Sequence, residues 1–391
     1  MSEQVVYLDN AATSHPKPDQ VYRAAESYMR ASANPGRGAH RLALRSAEAI
    51  FEARLSLSAF LGIKHPERLV FTGGCTASLN FALKGVGLAR GDLVVTSALE
   101  HNSVMRPLYQ LEKQAGISVH CLPYARPGVV DLNDLKEAVR DLKPRLCVIA
   151  EASNVTGELV DLAAVADLCR HYRVPLLVDA AQSAGFTESN IDSLGITIWC
   201  ASGHKGLMGL PGVGLLYVSP EVELDPLIAG GTGSGSEELA MPEFYPDHLE
   251  AGTIAGPAIV GLAAGVEWLK AKSLQSVRAH ERALAQRFLD WAAGVKWLKL
   301  YGPESAGART GTVAFQVEQV GADRLADLLD QEHGIAVRSG LHCAANAHRA
   351  LGTLGSGLVR ASFGSFNSTG EVDRLSDALE NLVARNLRLV R

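Results

Sequence analysis

The stretch from 175 to 206 reads PLLVDAAQSAGFTESNIDSLGITIWCASGHKG. Its two apolar runs, at 175–180 and 197–202, are typical of strands that are buried on both faces of a sheet. Further runs of this kind are RLVFT (68–72), DLVVTS (92–97), RLCVIAE (145–151) and GVGLLYVS (212–219). Longer amphipathic segments such as LNDLKEAVRDL separate them. This alternation predicts an α/β fold with a large, mostly parallel sheet that is flanked by helices.

The pattern changes near Gly256. A long helical stretch to about Lys296 is followed by TGTVAFQV (310–317), ADRLADLLDQEH (322–333), IAVRS (335–339), LVRASFG (358–364) and a final helix. A length of 391 residues fits one large and one smaller domain. We predict a large α/β domain over 15–255 and a smaller α+β domain over 1–14 plus 256–391. Periodicity alone does not assign the first residues, which we place with the smaller domain.

The charge balance excludes several function classes. Lys and Arg number 37 against 42 Asp and Glu, which gives a formal net charge of -5, and no basic stretch occurs. This balance is not typical of a protein that binds nucleic acid or an anionic membrane surface. The longest apolar stretch, 251–266, is interrupted by glycines and a proline, and it is shorter than the roughly 18 residues of a membrane span. The N-terminal sequence does not resemble a secretory signal.

Six cysteines without a CxxC pair fit a reducing compartment, so we expect a cytoplasmic protein. Four of them lie in apolar or helical contexts and are expected to be core residues: Cys121, Cys147, Cys169 and Cys200. Cys75 and Cys343 differ, because they lie in the glycine-containing sequences TGGCTAS and RSGLHCAAN. Packing explains these two cysteines less well.

Polar residues follow three of the predicted strands. Asn154, Asp179 and the pair His204–Lys205 come about one strand–helix repeat apart. Ligands of open α/β sheets bind at the carboxyl ends of the strands, so these residues are candidates for one site. A lysine at such a place is either an ordinary surface residue or a Schiff-base nucleophile, and enzymes that use pyridoxal phosphate (PLP) combine such a lysine with an acidic partner. Asp179 is placed to be that partner.

Two further segments are weaker signals. TGGCTASLN (72–80) resembles a loop that leads into a helix N-terminus and could bind a phosphate, although a simple glycine turn explains it equally well. His101 follows the strand at 92–97 and is either a loop histidine or a ring that stacks on a flat cofactor. Neither His204, His342, Cys343 nor His348 lies in a zinc-site spacing, so no metal is expected.

Eight motifs occur in order along the chain: DNAAT (9–13), TGGCT (72–76), EHN (100–102), SNVTG (153–157), VDAAQS (178–183), SGHK (202–205), EAGT (250–253) and RSGLHCA (338–344). In this the sequence resembles the class V aminotransferase fold-type family of PLP enzymes. Within that family it is similar to the cysteine desulfurases of the SufS-like branch, which includes selenocysteine lyases. The resemblance implies a fold type I PLP-dependent transferase whose large domain contains a sheet of the seven-stranded type.

The resemblance also implies roles for individual residues. Lys205 is expected to form the Schiff base and to move the Cα proton, while Asp179 pairs with the pyridinium nitrogen and His101 stacks on the ring. The remaining expected cofactor contacts are Cys75, Thr76, Asn154, Gln182, Ser202, His204 and, toward the phosphate of a neighbouring subunit, Thr253. The expected substrate contacts are Arg360, Asn154, His40 and Arg338. Thr253 implies a homodimer with shared active sites.

Cys343 is the residue that distinguishes reactions within this family. In the resembled desulfurases, a cysteine in the pattern R-x-G-x-x-C takes sulfur from L-cysteine as a persulfide, releases L-alanine and passes the sulfur to an acceptor protein, as in iron–sulfur cluster assembly. An alternative is an aminotransferase or another PLP β-lyase, selenocysteine lyase included, in which Cys343 is not essential. A third possibility is a non-enzymatic protein that has kept only the fold.

Overall fold

The predicted apolar runs form the central sheet of the computed structural model, which describes residues 5–35, 38–124 and 130–389. The sheet has the spatial order β2 (Leu69–Thr72), β8 (Gly214–Val218), β7 (Ile198–Ser202), β6 (Leu176–Asp179), β5 (Leu146–Ala150), β3 (Leu93–Ser97) and β4 (Ser118–Leu122). The five strands from β7 to β4 pair in parallel, whereas β8 is antiparallel to both of its neighbours. The predicted α/β class and the mostly parallel sheet are confirmed.

Helices cover both faces of this sheet. They are α1 (Asp19–Ala31), α2 (Arg41–Leu61), α3 (Cys75–Gly85), α4 (Asn102–Gln114), α5 (Leu132–Glu137), α6 (Leu162–Tyr172), α7 (Ile191–Leu194) and α8 (Gly256–Lys272). Neighbouring residues of one strand enter different cores: Ile149 and Cys147 pack on one side of β5, and Val148 and Leu146 pack on the other. Because side chains alternate along a strand, such continuous apolar runs are the expected signature of a sheet with two buried faces.

A four-stranded antiparallel sheet organises the C-terminal part, in the order β12 (Arg338–Gly340), β13 (Leu358–Ser362), β10 (Thr312–Val317) and β9 (Leu298–Tyr301). Its helices are α9 (Leu274–Ala292), α10 (Ala322–His333), α11 (Ala345–Ala350) and α12 (Thr369–Leu389). The N-terminal strand β1 (Val6–Tyr7) pairs in parallel with β11 (Ile335–Ala336), and Val6 and Leu8 belong to the same hydrophobic core as this sheet. The segment from Val6 to Leu8 therefore packs against the C-terminal part of the chain.

The predicted division at residue 255 stays a proposal, and the packing of α8 bears on its position. This helix packs against α1 and α2, and its Ile259, Leu262 and Val266 share a core with the large sheet. We therefore favour a division that follows Lys272. The long helical stretch predicted to reach Lys296 is in fact two helices, because Ser273 adopts a left-handed φ of 65° between α8 and α9.

Cys121 corrects one expectation about the core. Cys147, Cys169 and Cys200 are buried as predicted, but Cys121 is exposed. It lies on β4, an edge strand of the large sheet, which among the described residues pairs with β3 alone. An edge strand receives less cover from helices than a central strand, so an apolar-looking sequence does not ensure burial there. No helix within the described part of the chain is long and apolar enough to span a membrane.

Candidate active site

A cavity of about 280 Å³ lies beyond the carboxyl ends of β5, β6 and β7. This is the edge of the sheet at which the sequence predicted a site. Nine of the predicted site residues line the cavity: Cys75, Thr76, His101, Asn154, Asp179, Gln182, Ser202, His204 and Lys205. They are the last residues of β6 and β7 or lie in loops and helix N-termini that follow β2, β3, β5, β6 and β7. The fold thus brings together residues up to 130 positions apart.

Asp179 ends β6 at the bottom of this cavity and is buried. Its Oδ1 accepts hydrogen bonds from the N–H of Ala181 (2.9 Å) and from the Cys75 thiol (3.6 Å). Neither donor carries a positive charge. Burial raises the pKa of Asp179, and this is partly offset by the Ala181 hydrogen bond and by the charge of Lys205. A buried carboxyl that lines a cavity in this way suits a ligand with a cationic N–H.

Lys205 lies in the turn after β7, and the N-terminal segment holds its backbone. The Lys205 carbonyl accepts a hydrogen bond from the Ser14 hydroxyl (2.9 Å). The His204 carbonyl accepts from the Lys17 ammonium (2.6 Å) and from the Thr13 hydroxyl (3.0 Å). Burial is the main cause that lowers the pKa of the Lys205 amine, and the charges of two arginines add to it. A lowered pKa increases the fraction of the amine that is uncharged and nucleophilic at a given pH.

Helix α3 presents its N-terminus to the same cavity. Its N-cap residue, Gly74, makes no side-chain cap, so the first N–H groups of the helix are free to meet an anion. Thr76 lies in this first turn, where its hydroxyl hydrogen-bonds with Ser103 (2.7 Å). Gly214 of β8 packs so closely that an added Cβ would lie 2.3 Å from the Gly74 carbonyl carbon. Any residue larger than glycine at 214 would therefore displace the loop.

His101 is the N-cap of α4, and this role fixes its ring. Its Nδ1 accepts the backbone N–H of Ser103 at 3.0 Å, so the proton of the neutral ring is on Nε2. Burial lowers the pKa of His101 to about 4, and the charges of Lys205, Arg338, Arg106 and Arg360 add to the effect. The ring is therefore neutral at physiological pH, and it lines the cavity as a flat, uncharged surface.

Arg360 of β13 reaches this region from the smaller sheet and is only 1% exposed. It donates to the Asn154 carbonyl (2.8 Å) and forms an ion pair with Asp9 (2.7 Å). Its Nε and the Oδ1 of Asn154 are buried and have no hydrogen-bond partner in the part of the chain that the structure describes. A buried guanidinium with an unused N–H is suited to bind a small carboxylate.

Cys343 lies in the turn that joins β12 to α11, and this cysteine is exposed. Both His342 and Cys343 adopt left-handed backbone conformations, with φ values of 49° and 55°. The large domain holds this turn, because the Asn154 amide donates to the His342 carbonyl (2.6 Å) and the Asn102 N–H donates to the Cys343 carbonyl (2.7 Å). Arg338 Nη2 lies 3.7 Å from the Cys343 sulfur. A strained, hydrogen-bonded turn thus presents the thiol beside the cavity.

Five predicted residues are not part of the lining of this cavity. Arg360, Arg338 and Cys343 belong to the neighbouring arrangement just described, whereas Thr253 and His40 lie elsewhere. Thr253 borders a separate, mostly apolar cavity of about 480 Å³, together with Phe51 and Ile50 of α2. His40 is the N-cap of α2, and its Nδ1 accepts the N–H of Ala43 at 3.3 Å. Within the described chain neither residue contacts Lys205, so the roles expected for them stay predictions.

The structure also reveals residues that the sequence reasoning did not assign. Lys17 is 7% exposed and clamps the His204 carbonyl, while Asp9 is the acidic partner of Arg360. The motif DNAAT and the following SHPKP contain these residues, so the signal was present. Their roles were not apparent because the contacts span about 190 and 350 residues of sequence. Within the described residues no cluster of three potential metal ligands occurs.

Comparison with known proteins shows the family of this chain. The family model described as aminotransferase class V matches residues 6–375. The chain belongs to the class V aminotransferase family. Among curated members, it is 33% identical to a probable cysteine desulfurase of Pyrococcus abyssi, with 98% of this chain and 95% of that protein covered. It is 32% identical to a cysteine desulfurase of Haloferax volcanii, with coverage of 96% and 89%.

Comparison with solved structures leads to the same family. The apo cysteine desulfurase of Thermococcus onnurineus superposes with a TM-score of 0.90 at 32% identity and covers 97% of this chain and 95% of its own. The cysteine desulfurase CsdA of Escherichia coli superposes with a TM-score of 0.86 at 29% identity, with coverage of 98% and 96%. The predicted resemblance to cysteine desulfurases and the predicted fold are therefore confirmed, and the cofactor of this family is PLP.

The residues of the cavity fit this cofactor. Asp179 is a buried carboxyl without a cationic hydrogen-bond donor, which suits a pyridinium N–H. The free N-terminus of α3 suits a phosphate, and the unpartnered, buried Nδ1 of His204 is a further donor or acceptor beside it. The Lys205 amine, whose pKa burial lowers, suits a Schiff base, and the neutral ring of His101 suits stacking on a flat cofactor.

Proposed function

We propose that this protein is a PLP-dependent L-cysteine desulfurase, which converts L-cysteine to L-alanine and passes the sulfur through a persulfide on Cys343 to an acceptor. The observation that carries the proposal is the position of this exposed thiol beside the Lys205–Asp179 cavity, in a turn that Asn154 and Asn102 hold. Relatives named cysteine desulfurases, which align over nearly the whole chain, support the same reaction.

We assign the cofactor contacts as follows. When it is bound, PLP withdraws electrons from the substrate carbon that loses a proton. Asp179 is the partner of the pyridinium nitrogen, and His101 contacts the ring. Thr76, Ser202 and His204 bind the phosphate together with the N-terminus of α3, while Gln182 and Cys75 complete the cavity. Lys205 Nζ, whose pKa burial lowers, moves the proton of the substrate Cα.

The substrate carboxylate binds at Arg360 and Asn154. Arg360 keeps its Nε–H free while Asp9 and the Asn154 carbonyl fix the other two nitrogens. Because the guanidinium is buried, a charge-assisted hydrogen bond to a carboxylate is strong there. This contact orients the substrate so that its side-chain sulfur points toward the turn that bears Cys343.

In the sulfur-transfer step, the Cys343 thiolate attacks the sulfur atom of the substrate. The new S–S bond forms as the substrate C–S bond breaks, and the electron pair of that bond remains on carbon, which takes up a proton and leaves as L-alanine. The enzyme retains one sulfur atom as a persulfide, so atoms and electrons balance without an added oxidant. Arg338, next to the Cys343 sulfur, stabilises the thiolate that attacks.

The proposal also covers the sulfur acceptor, the oligomeric state and the cellular location. A protein acceptor receives the sulfur, for use in iron–sulfur cluster assembly. The protein forms a homodimer in which Thr253 and His40 act near the neighbouring active site, and exposed apolar side chains on α2, such as Leu42, Leu44 and Phe51, support this. A cytoplasmic location is supported by the six unpaired cysteines.

The test compares alanine and sulfide release from L-cysteine, with dithiothreitol as the reductant. We expect activity in the wild type and its loss in both Cys343→Ala and Lys205→Ala. Cys121→Ala is the matched control, because Cys121 is also an exposed cysteine but lies on the edge strand β4. If Cys343→Ala remained fully active, an aminotransferase or β-lyase reaction that does not need this thiol would replace the proposal.

A further inference from the structure

One face of α4 carries two exposed cationic side chains and one exposed aromatic side chain, and it begins at the half-buried Asn102. Asn102, Arg106, Tyr109 and Lys113 follow one another at spacings of four, three and four residues, which places them on the same side of a helix. We call these four residues the α4 strip. Arg106 and Lys113 are exposed, Tyr109 is 60% exposed, and the Lys113 ammonium lies 5.4 Å from the centre of the Tyr109 ring.

The α4 strip begins at the turn that bears Cys343. The N–H of Asn102 donates to the Cys343 carbonyl at 2.7 Å, and the Nη2 of Arg338 lies 3.7 Å from the Cys343 sulfur. From Asn102 to Lys113 the helix rises by roughly 16 Å. Helix α4 therefore starts at the turn of the exposed residue Cys343, and Arg106, Tyr109 and Lys113 are exposed along it at increasing distance from that turn.

The positive charges of this surface are not neutralised by ion pairs. Arg106, Lys113 and Arg338 have no carboxylate within 4.0 Å among residues 5–35, 38–124 and 130–389. The whole chain, in contrast, has a formal net charge of -5. A local cationic surface on an acidic protein attracts anionic partners and repels cationic ones.

We propose that the α4 strip is the docking site for an acidic segment of the sulfur acceptor, whose cysteine lies at the Cys343 end. This inference rests on the sulfur transfer proposed above. The length of the strip favours a protein segment over a small thiol, since roughly five extended residues span 16 Å, whereas a small molecule would reach only the part near Arg338. The exposed Tyr109 provides an apolar contact in the middle.

The chemistry of the transfer needs no co-reactant. The acceptor thiolate attacks the outer sulfur of the Cys343 persulfide, and a new S–S bond forms as the old one breaks. Cys343 leaves as a thiolate, and the acceptor carries the persulfide. Arg338 stabilises the leaving thiolate, and the cationic strip favours an acceptor whose neighbouring residues are acidic.

The experiment uses the holoenzyme with L-cysteine and three synthetic peptides, each with one cysteine followed by five glutamates, five serines or five lysines. Persulfide transfer to each peptide is measured at low and at high salt, and expressed relative to the turnover with dithiothreitol. We expect the acidic peptide to have about tenfold higher kcat/KM than the neutral peptide at low salt, and the lysine peptide to be the poorest. The double variant Arg106→Glu/Lys113→Glu should reverse this order.

Arg145→Glu is the matched control. Arg145 is an exposed arginine immediately before β5, at the amino ends of the strands and thus opposite the carboxyl ends where the site lies. This variant should keep the preference for the acidic peptide. Equal rates for the three peptides, or a preference that survives the double variant, would overturn the proposal. The proposal would also be overturned if a small anionic thiol, 3-mercaptopropionate, accepted sulfur with a kcat/KM that exceeds that of dithiothreitol by the same factor as the acidic peptide does.

Binding of the fluorescently labelled acidic peptide, measured by anisotropy without L-cysteine, separates this inference from the proposed function. Binding that the double variant abolishes supports the docking surface even if the wild type releases no alanine. Alanine release with dithiothreitol but no salt-dependent peptide binding contradicts the docking surface and leaves the desulfurase proposal intact.

Discussion

Glu100 is a buried acid beside the active site, and it makes a pH dependence of stability measurable. It precedes His101 and is fully buried, and its Oε1 accepts hydrogen bonds from the Ser97 hydroxyl (2.7 Å) and the Ala150 N–H (2.9 Å). Its Oε2 is buried without a partner. Burial, aided by the negative charge of Asp179, raises the pKa of Glu100 from 4.5 to about 8.

The sign of the effect follows from these two pKa values. Because the folded protein binds this proton more tightly than the unfolded chain does, the stabilisation is fully present below pH 4.5 and is lost as the pH rises through 8. Each pH unit between these limits changes the free energy of unfolding by about 1.4 kcal/mol. Between pH 5 and pH 8 the native state therefore loses roughly 4 kcal/mol through this carboxyl alone.

The variant Glu100→Gln removes the titration but keeps an oxygen for Ser97 and Ala150. We expect the free energy of unfolding of the variant, minus that of the wild type, to rise by roughly 4 kcal/mol from pH 5 to pH 8. Urea denaturation of the two holoenzymes at unit pH steps measures this difference. Glu188→Gln, at an exposed position, is the control and should show no such trend. A difference for Glu100→Gln that does not change with pH would refute the reasoning.

Two further predictions concern the N-terminal segment. Asp9→Ala should lower the free energy of unfolding by about 3 kcal/mol in urea denaturation, because it leaves the buried guanidinium of Arg360 without its acidic partner. Asp9→Asn should lower it less, because a hydrogen bond to Arg360 remains. Equal losses in the two variants would contradict this. Lys17→Met should lower kcat for alanine formation about tenfold with little change in KM, since the donor that holds the His204 carbonyl next to Lys205 is lost. Steady-state kinetics measures both constants, and an unchanged kcat would contradict this prediction.

The large sheet could be predicted from the sequence because its strands are buried on both faces. Six of the seven strands appear as uninterrupted apolar runs. The seventh, β4, lies at one edge of the sheet, and in its mixed sequence SVHCL only Leu122 is buried, although its sequence context looks apolar around Cys121. That same edge position exposes Cys121, which the sequence placed in the core. In the smaller domain, β9 was missed because a lysine interrupts the apolar residues of its short sequence LKLY.

The candidate site could be predicted in part. Asn154, Asp179 and Lys205 follow predicted strands, and the rule that ligands bind at strand ends brings them together. The supporting contacts of Lys17 and Asp9 could not be predicted, because they depend on how the N-terminal segment crosses from the smaller sheet to the turn of Lys205. The α4 strip was also missed, since its meaning depends on the contact between Asn102 and the turn of Cys343.

The central claim is that Cys343 receives the sulfur atom of L-cysteine. The most direct measurement is mass spectrometry of the peptide that contains Cys343, after the holoenzyme has reacted with one equivalent of L-cysteine in the absence of any reductant. We expect this peptide to gain the mass of one sulfur atom, in proportion to the alanine formed, while the peptide with the exposed Cys121 gains none. Alanine formed without added sulfur on Cys343 would contradict the account.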